Sequence, residues 1–259
     1  MTKFIFNPEK PFSIPAPLGK NQCLSPSAIN EFEQCNAKYL WNRIFKIEGE
    51  AAKTKFSEDG KKIHKWLEDY MPKNPTIEEL LDKYSKEARN DYEKWIQNVL
   101  LVEHRYLINQ GLEAMNVLST EYKISSWVNR RVGYIDRIDI RPDGNLTVID
   151  YKPKSPKKYP SNIRRQLTFY ATQINFLIEN ELFAFDGFEN SRVTHCRVIG
   201  YKDGSDWEFK LNKRSITALE KRVKAIRTQT TFLCKPGSPL CKYCRFVDNL
   251  CFESNLEYW

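Results

Sequence analysis

Two aspartates and a lysine beside a predicted turn are the residues of this chain whose types and spacing best suit chemistry. They lie in GYIDRIDIRPDGNLTVIDYKPK, residues 133–154. The segment RPDGN at 141–145 favours a three-residue hairpin loop with a G1 bulge, because proline presets φ and glycine accepts a left-handed backbone. If residue 141 pairs with residue 145, Asp136 lies opposite Asp150, and strand alternation places Lys152 on the same face.

Two carboxylates directly opposite each other repel, and a cation between them removes the repulsion. A hard dication such as Mg²⁺ or Mn²⁺ prefers such oxygen ligands, and it can activate water for attack on a phosphodiester. Lys152 could then orient the water or stabilise negative charge in the transition state. A solvated strand face with weak Asp–Lys pairs is the alternative that this pattern alone leaves open.

Three of the seven cysteines form a second group, with the spacing Cys241-x2-Cys244-x6-Cys251. A trio leaves a tetrahedral site one ligand short, and Cys35 is the natural fourth ligand, with Cys234 as its rival. Thiolate ligation suits both zinc and an iron–sulfur cluster, and the residues alone do not separate the two.

The predicted elements that position these groups form a helical section followed by a sheet. Helices are predicted to begin at Ser25–Pro26, near Ser57 and at Thr76, where Glu79 completes a capping box; the last reaches about residue 109, and a break within it is left open. Strands are predicted at 117–125, 130–141, 146–151, 193–201 and 206–211, and further helices at 160–181 and 214–229. This order predicts an α+β fold, with a central mixed β-sheet flanked by helices.

The composition is that of a globular protein whose basic charge favours polyanionic partners, although a protein that is simply basic is the other interpretation. Of the 259 residues, 41% are hydrophobic, and the formal net charge is +8. A run without acidic residues follows the second aspartate and could track a phosphate backbone, although a solvated face is the other interpretation; it contains Lys154, Lys157, Lys158, Arg164 and Arg165. No apolar run could span a bilayer and no secretory signal is visible, so a cytoplasmic protein without membrane contact is expected.

The order of several short motifs resembles the RecB-like branch of the PD-(D/E)XK nuclease superfamily, from about residue 24 to residue 251. The motifs are His64, GYID at 133–136, DYK at 150–152, and Gln166 followed one helical turn later by Tyr170. The first predicted helix also resembles that of this branch. Pro153 departs from the family pattern, in which a small or hydroxyl residue usually follows the lysine.

The resemblance implies a restriction-endonuclease-like core and a role for each matching residue. Asp136 and Asp150 would bind the catalytic metal, with His64 as a further ligand and the carbonyl of Tyr151 adding an oxygen. Lys152 would serve the attacking water. The side chains that would face the substrate or the active centre are Gln166 and Tyr170.

Some RecB-like nucleases, including AddB-type and CRISPR-associated ones, use one early and three late cysteines to hold a [4Fe–4S] cluster. The resemblance therefore implies that Cys35, Cys241, Cys244 and Cys251 hold such a cluster, with Zn²⁺ as the alternative. Joining residue 35 to residue 241 would close a loop of about 200 residues, worth roughly 4–5 kcal/mol by chain-entropy arguments.

The sequence thus predicts an irregular arm at 1–22 and one nuclease domain at 23–259. Within the domain we expect a helical section at 23–115, the catalytic sheet and helices at 116–230, and the cysteine tail at 231–259. The expected activity is a Mg²⁺- or Mn²⁺-dependent deoxyribonuclease, an exonuclease on single-stranded or free DNA ends. Expected settings are CRISPR adaptation, recombination and repair, or viral DNA processing, with protein partners from such a complex. The alternative is a catalytically silent, metal-stapled DNA-binding or scaffold subunit.

Overall fold

The computed structural model describes residues 12–13, 23–46, 55–154, 161–229, 231–232, 241, 244 and 246. In chain order, the elements are β1 (Phe12–Ser13), α1 (Pro26–Gln34), α2 (Asn36–Tyr39), a π-helical turn (Leu40–Ile44), α3 (Lys55–Tyr70), a 3₁₀ turn (Met71–Lys73), α4 (Ile77–Ser85), α5 (Asp91–Gln110), β2 (Val117–Ser126), β3 (Arg131–Ile140), β4 (Leu146–Lys152), α6 (Ser161–Glu179), β5 (Val193–Gly200), β6 (Ser205–Lys210), α7 (Lys213–Thr228) and β7 (Thr231–Phe232).

The chain forms two compact units. The first takes its described residues from 1–52, 127–130 and 220–259, and the second consists of described residues from 53–126 and 131–219. The prediction of one domain over 23–259 stays a prediction.

The first unit contains the N-terminal helices. Ser25 caps α1 by accepting a hydrogen bond from the backbone N–H of Ala28 at 3.2 Å, and Pro26 occupies the first turn, as the sequence predicts. Within the predicted irregular arm, β1 pairs antiparallel with β7. The ring of Trp41, in the π-helical turn, meets that of Phe246 edge-on at a centroid distance of 5.3 Å.

The second unit is built on a five-stranded mixed sheet in the order β2-β3-β4-β5-β6. All neighbouring strands are antiparallel except β4 and β5, which are parallel and are connected through α6. Parallel neighbours require such a crossover, because a tight turn can join only antiparallel strands. The predicted α+β class, a mixed sheet with flanking helices, is confirmed.

The predicted hairpin register is confirmed for the four residue pairs next to the loop, whereas the predicted pair Asp136–Asp150 is not among them. The pairs run from Arg137↔Ile149 to Ile140↔Leu146 and include Asp139↔Thr147. The loop closes with a hydrogen bond from the Arg141 N–H to the Asn145 carbonyl at 2.8 Å. Gly144 has a φ of +78°, the left-handed conformation that the turn requires.

The helices α3, α4 and α5 contribute most of a core that also takes residues from β4 and β5. Its buried members include Ile63, Leu67, Leu80, Val99, Leu100, Ile149, Tyr151 and Ile199. The predicted capping box of Thr76 and Glu79 begins α4, and the long predicted helix is broken after Ser85. A new cap at Asn90, which accepts from the Glu93 N–H at 3.0 Å, starts α5.

Among the described helices, none combines the length and the apolar character that a membrane span requires. The cytoplasmic location stays a prediction.

Candidate active site

The second unit contains an open cleft of about 690 Å³. Helix α3 contributes His64, β2 contributes Glu121, β3 contributes Tyr134 and β4 contributes Lys152 to its lining. The cleft therefore brings together side chains from four elements that are distant in sequence.

His64, Glu121 and Asp136 form a compact group at this cleft. The Nδ1 atom of His64 lies 3.6 Å from a carboxylate oxygen of each acidic residue. One ligand atom from each of the three lies within 4.8 Å of the others, and within the described part of the chain this is the group of three histidine, cysteine or acidic residues that does so. One imidazole nitrogen and two carboxylates at this spacing can hold a divalent cation.

Glu121 has an unusual backbone. Its φ is +48°, and the β2–β3 pairing skips it between Thr120↔Arg137 and Tyr122↔Ile135. A left-handed conformation costs a residue other than glycine on the order of 1–3 kcal/mol, and such strain is found most often where a side chain must be aimed at a site.

The sequence analysis missed Glu121, whose place is set by the register of the β2–β3 hairpin. The β2–β3 hairpin closes with Ser126 paired to Arg131 around a four-residue loop. The same register, continued along both strands, places Glu121 opposite Asp136. Residues 127–130 of this loop contain no proline or glycine, so the sequence did not fix this register in the way that the Pro-Asp-Gly turn fixes the next one.

Asp136 lies in a setting that disfavours its negative charge. Burial, together with the nearby charge of Asp150, raises its pKa to about 7, against the opposing effect of His64. The backbone N–H of Tyr151 donates to Asp136 Oδ2 at 2.7 Å and fixes the carboxylate. The charge of Asp150 thus reaches Asp136, but Asp150 is not a member of the three-residue group, and the metal-binding role predicted for the two aspartates stays a prediction.

Asp150 is held by the other predicted site residues. Its side chain is buried, and the ammonium of Lys152 lies 2.8–2.9 Å from its two oxygens. The amide of Gln166 donates to Asp150 Oδ1 at 3.0 Å and lies 3.5 Å from the hydroxyl of Tyr170. The structure therefore brings three predicted site residues, Lys152, Gln166 and Tyr170, together at the Asp150 carboxylate.

Burial and the charge of Asp150 shift the pKa values of two members of this assembly. Burial opposes the charged form of Lys152, but the adjacent Asp150 carboxylate outweighs it, so the pKa of Lys152 is raised and the side chain stays an ammonium at neutral pH. Burial and then the charge of Asp150 raise the pKa of Tyr170, so its hydroxyl remains protonated.

A buried charge network supports the cleft, and the sequence analysis missed it. Arg137 is fully buried and donates at 2.6 Å both to the hydroxyl of Tyr151 and to Glu103. Glu103 also accepts a hydrogen bond from Arg197 at 2.6 Å. Arg137 has a second acidic partner, Asp139. Tyr151 therefore links this network, through its own backbone N–H, to the Asp136 carboxylate. The proposed metal-binding role of the Tyr151 carbonyl stays a prediction.

The predicted DNA-contacting residues are described only in part. Lys154 is exposed directly after β4. Arg164 lies in the first turn of α6 with its guanidinium 4.9 Å from the ring of Phe209, and Arg165 follows it. Lys157 and Lys158 lie outside the described residues, and the role of all five stays a prediction.

The predicted cysteine ligands belong to the first unit. Cys35 separates α1 from α2, and its Sγ accepts from the Lys38 N–H at 3.5 Å. Cys241 and Cys244 are half-buried and joined by a backbone hydrogen bond of 2.8 Å. Cys251, like the rival Cys234, lies outside the described residues. The cluster stays a prediction, and no group of three cysteines among the described residues meets the 4.8 Å spacing.

A family model described as the PD-(D/E)XK nuclease superfamily matches residues 23–251. No curated protein gave a significant match. The matched span contains His64, Glu121, Asp136, Asp150 and Lys152.

Proposed function

The chain belongs to the PD-(D/E)XK nuclease superfamily, and from this premise we propose that it is a Mg²⁺- or Mn²⁺-dependent deoxyribonuclease that degrades single-stranded DNA from its ends. The observation that carries the proposal is the close approach of His64, Glu121 and Asp136 beside the Asp150–Lys152 pair. The three would hold the catalytic ion, and Asp150 would complete the acidic surroundings.

The residues present fit such an ion. Asp136 and Asp150 repel each other in a buried setting, and a dication is the simplest way to relieve that repulsion. When bound, the ion would polarise the phosphoryl oxygen and lower the pKa of a water molecule. The carboxylates suit Mg²⁺ and Mn²⁺, whereas the imidazole of His64 favours the softer Mn²⁺.

The chain's own residues then position the reacting groups. Lys152 offers an ammonium that Asp150 holds in place, so it can donate to the attacking water or to an oxygen of the scissile phosphate. Gln166, on α6, donates a hydrogen bond to Asp150 Oδ1 and so restricts rotation of the carboxylate. The negative charge that develops on the phosphate in the transition state would meet a positive charge that is already oriented.

The cleft lining supports a single-stranded substrate. Tyr134 is 56% exposed, and a half-exposed aromatic ring beside a cleft can stack on an unpaired base. Lys61 and Lys65 of α3 also line the cleft and could contact the backbone phosphates. Removal of nucleotides from DNA ends would suit CRISPR adaptation, recombination and repair, or viral DNA processing, in each case alongside other proteins of the pathway.

The variant Lys152→Ala, assayed for both DNA cleavage and DNA binding, tests the proposed activity. We expect this variant to lose cleavage of end-labelled single-stranded DNA in Mn²⁺ or Mg²⁺ while it still binds the same DNA. Lys213→Ala, which removes an exposed lysine at the start of α7, is the matched control and should cleave normally. Unchanged cleavage by Lys152→Ala would refute the role of the lysine, and a wild-type protein that binds DNA but leaves it intact would be the catalytically silent alternative.

The end requirement is tested with DNA topology. An exonuclease should degrade linear single-stranded DNA and leave a single-stranded circle of the same sequence intact. Degradation of the circle would show internal cleavage and would contradict the exonuclease proposal.

The finer proposal for the first unit is that Cys35, Cys241, Cys244 and Cys251 hold a [4Fe–4S] cluster as a structural staple. Its support is the Trp41–Phe246 ring contact, between a residue six positions after Cys35 and one two positions after Cys244. Anaerobically purified protein should then be brown, and Cys35→Ser should lose both the colour and thermal stability, unlike the control Cys23→Ser. A colourless protein with one bound zinc would overturn the cluster.

A further inference from the structure

The loop between α6 and β5 surrounds a second cavity, of about 270 Å³, in the second unit. Six side chains of this loop account for its character: the three phenylalanines Phe183, Phe185 and Phe188, and the three carboxylates Glu181, Asp186 and Glu189. We call this the aromatic pocket.

The phenylalanine rings are arranged edge-to-face or tilted. Phe183 lies 5.3 Å from Phe185 and 6.2 Å from Phe188, measured between ring centroids. Tyr122 of β2 lies 5.9 and 5.6 Å from the first two and supports them from the sheet. The rings of Phe183, Phe185 and Phe188 are only half-buried, so part of their apolar surface lies at the open cavity.

The charge around the aromatic pocket is opposite to that of the chain as a whole. Residues 179–189 carry four acidic side chains and no lysine or arginine, although the protein has a net charge of +8; Arg192, three residues further on, pairs with Glu179 at 3.6 Å, outside the pocket lining. The backbone N–H of Gly187 donates to the Glu189 carboxylate at 3.1 Å and orients one of them. Such a surface repels a phosphate backbone and attracts a cation, so a nucleic acid is not its ligand.

Aromatic faces and carboxylates together select a particular cation. A planar guanidinium can stack on a ring while its N–H groups bond to carboxylates, whereas a compact ammonium does only part of this. Leu182, between the pocket residues Glu181 and Phe183 in the chain, is 52% exposed and offers an apolar contact for residues that flank the cation.

We propose that the aromatic pocket is a docking site for a partner protein, which places an arginine of a basic, partly apolar segment in the cavity, against the exposed surface of the phenylalanine rings. The carboxylates of Glu181 and Asp186 bind the guanidinium, and the rings cover one of its faces. The site would join the nuclease to another protein through a surface that DNA avoids.

Two capped pentapeptides test the chemistry directly. The first is Gly-Leu-Arg-Leu-Gly, and the second carries citrulline, a neutral isostere, in place of arginine. In ¹⁵N-labelled full-length protein, we expect the arginine peptide to shift the backbone resonances of residues 181–189 and the citrulline peptide to leave them unchanged. Equal shifts with both peptides, or no shifts with either, would overturn the proposal.

A double variant tests the carboxylates. Glu181→Gln with Asp186→Asn should raise the dissociation constant of the arginine peptide about tenfold, because both charged partners are lost. Both side chains are exposed, so the fold should be retained, and thermal unfolding checks this. Glu113→Gln, at an exposed acid outside the pocket, should bind normally. Undiminished binding by the double variant would show that the peptide binds elsewhere and would refute the site.

Discussion

Glu103 lies fully buried between two arginines, which makes Glu103→Gln a sensitive test of the charge network beneath the candidate active site. Its two carboxylate oxygens accept hydrogen bonds of 2.6 Å, one from Arg137 and one from Arg197. Glutamine has nearly the same size but no charge, and its amide retains one acceptor oxygen. The substitution therefore removes charge with little change in packing volume.

The expected loss of stability depends on the acidic partner that each arginine retains in the variant. Arg137 retains Asp139 at 2.9 Å and Arg197 retains Asp206 at 2.8 Å, so neither buried guanidinium becomes an isolated charge. A charge-assisted hydrogen bond contributes about 1.5–3 kcal/mol. The glutamine oxygen can accept only one of the two hydrogen bonds that the Glu103 carboxylate accepts, and it carries no charge. We expect the free energy of unfolding to fall by about 2–4 kcal/mol.

Urea unfolding at neutral pH measures this loss, with Glu208→Gln as the control. Glu208 pairs with Arg141 at 2.8 Å, but its side chain is partly exposed, so its loss should cost about 1 kcal/mol or less. If Glu103→Gln cost no more than Glu208→Gln, the buried network would not contribute as we argue.

The pH dependence of stability in acid tests the role of Glu103 independently. Burial favours protonation of Glu103, but its two arginines outweigh burial and lower its pKa below the ordinary value. In the unfolded chain the carboxyl binds its proton at higher pH, so the stability it contributes is present above its ordinary pKa and is lost as the pH falls through the lowered one. The free energy of unfolding of Glu103→Gln should therefore depend less on pH in this acidic range than that of the wild type. An unchanged pH profile would contradict the lowered pKa of Glu103.

The candidate metal site yields three further predictions. Glu121→Gln should weaken Mn²⁺ binding, measured calorimetrically, by at least about 1.4 kcal/mol, or tenfold, whereas Glu68→Gln in the same cleft should not. Mn²⁺ affinity should rise as the pH increases through about 7, because a proton on Asp136 competes with the ion; a flat profile would exclude this carboxylate as a ligand. Gly133→Ala would place a methyl group 2.7 Å from the Tyr170 ring, and it should lower thermal stability by about 1–3 kcal/mol and reduce cleavage.

Local chemistry in the sequence was sufficient for the five strands of the large sheet, for the longer helices and for one register. The Pro-Asp-Gly turn placed Asp139 opposite Thr147, and the caps at Ser25 and Thr76 marked helix starts that the structure confirms. These signals are reliable because each depends on a few neighbouring residues. The assembly of Gln166 and Tyr170 at Asp150 was anticipated only through the family resemblance, since nothing local relates α6 to β4.

The sequence by itself determined the α+β class, the hairpin around residue 144, and the candidate acids and lysine beside it, because turn chemistry and strand alternation act over short distances. Only the tertiary structure decided that Glu121 joins His64 and Asp136, through a left-handed residue in β2 and a helix packed beside the sheet. It alone also decided that Glu103 lies between Arg137 and Arg197. Such groupings arise when distant segments share one core, and spacing along the chain carries no trace of them.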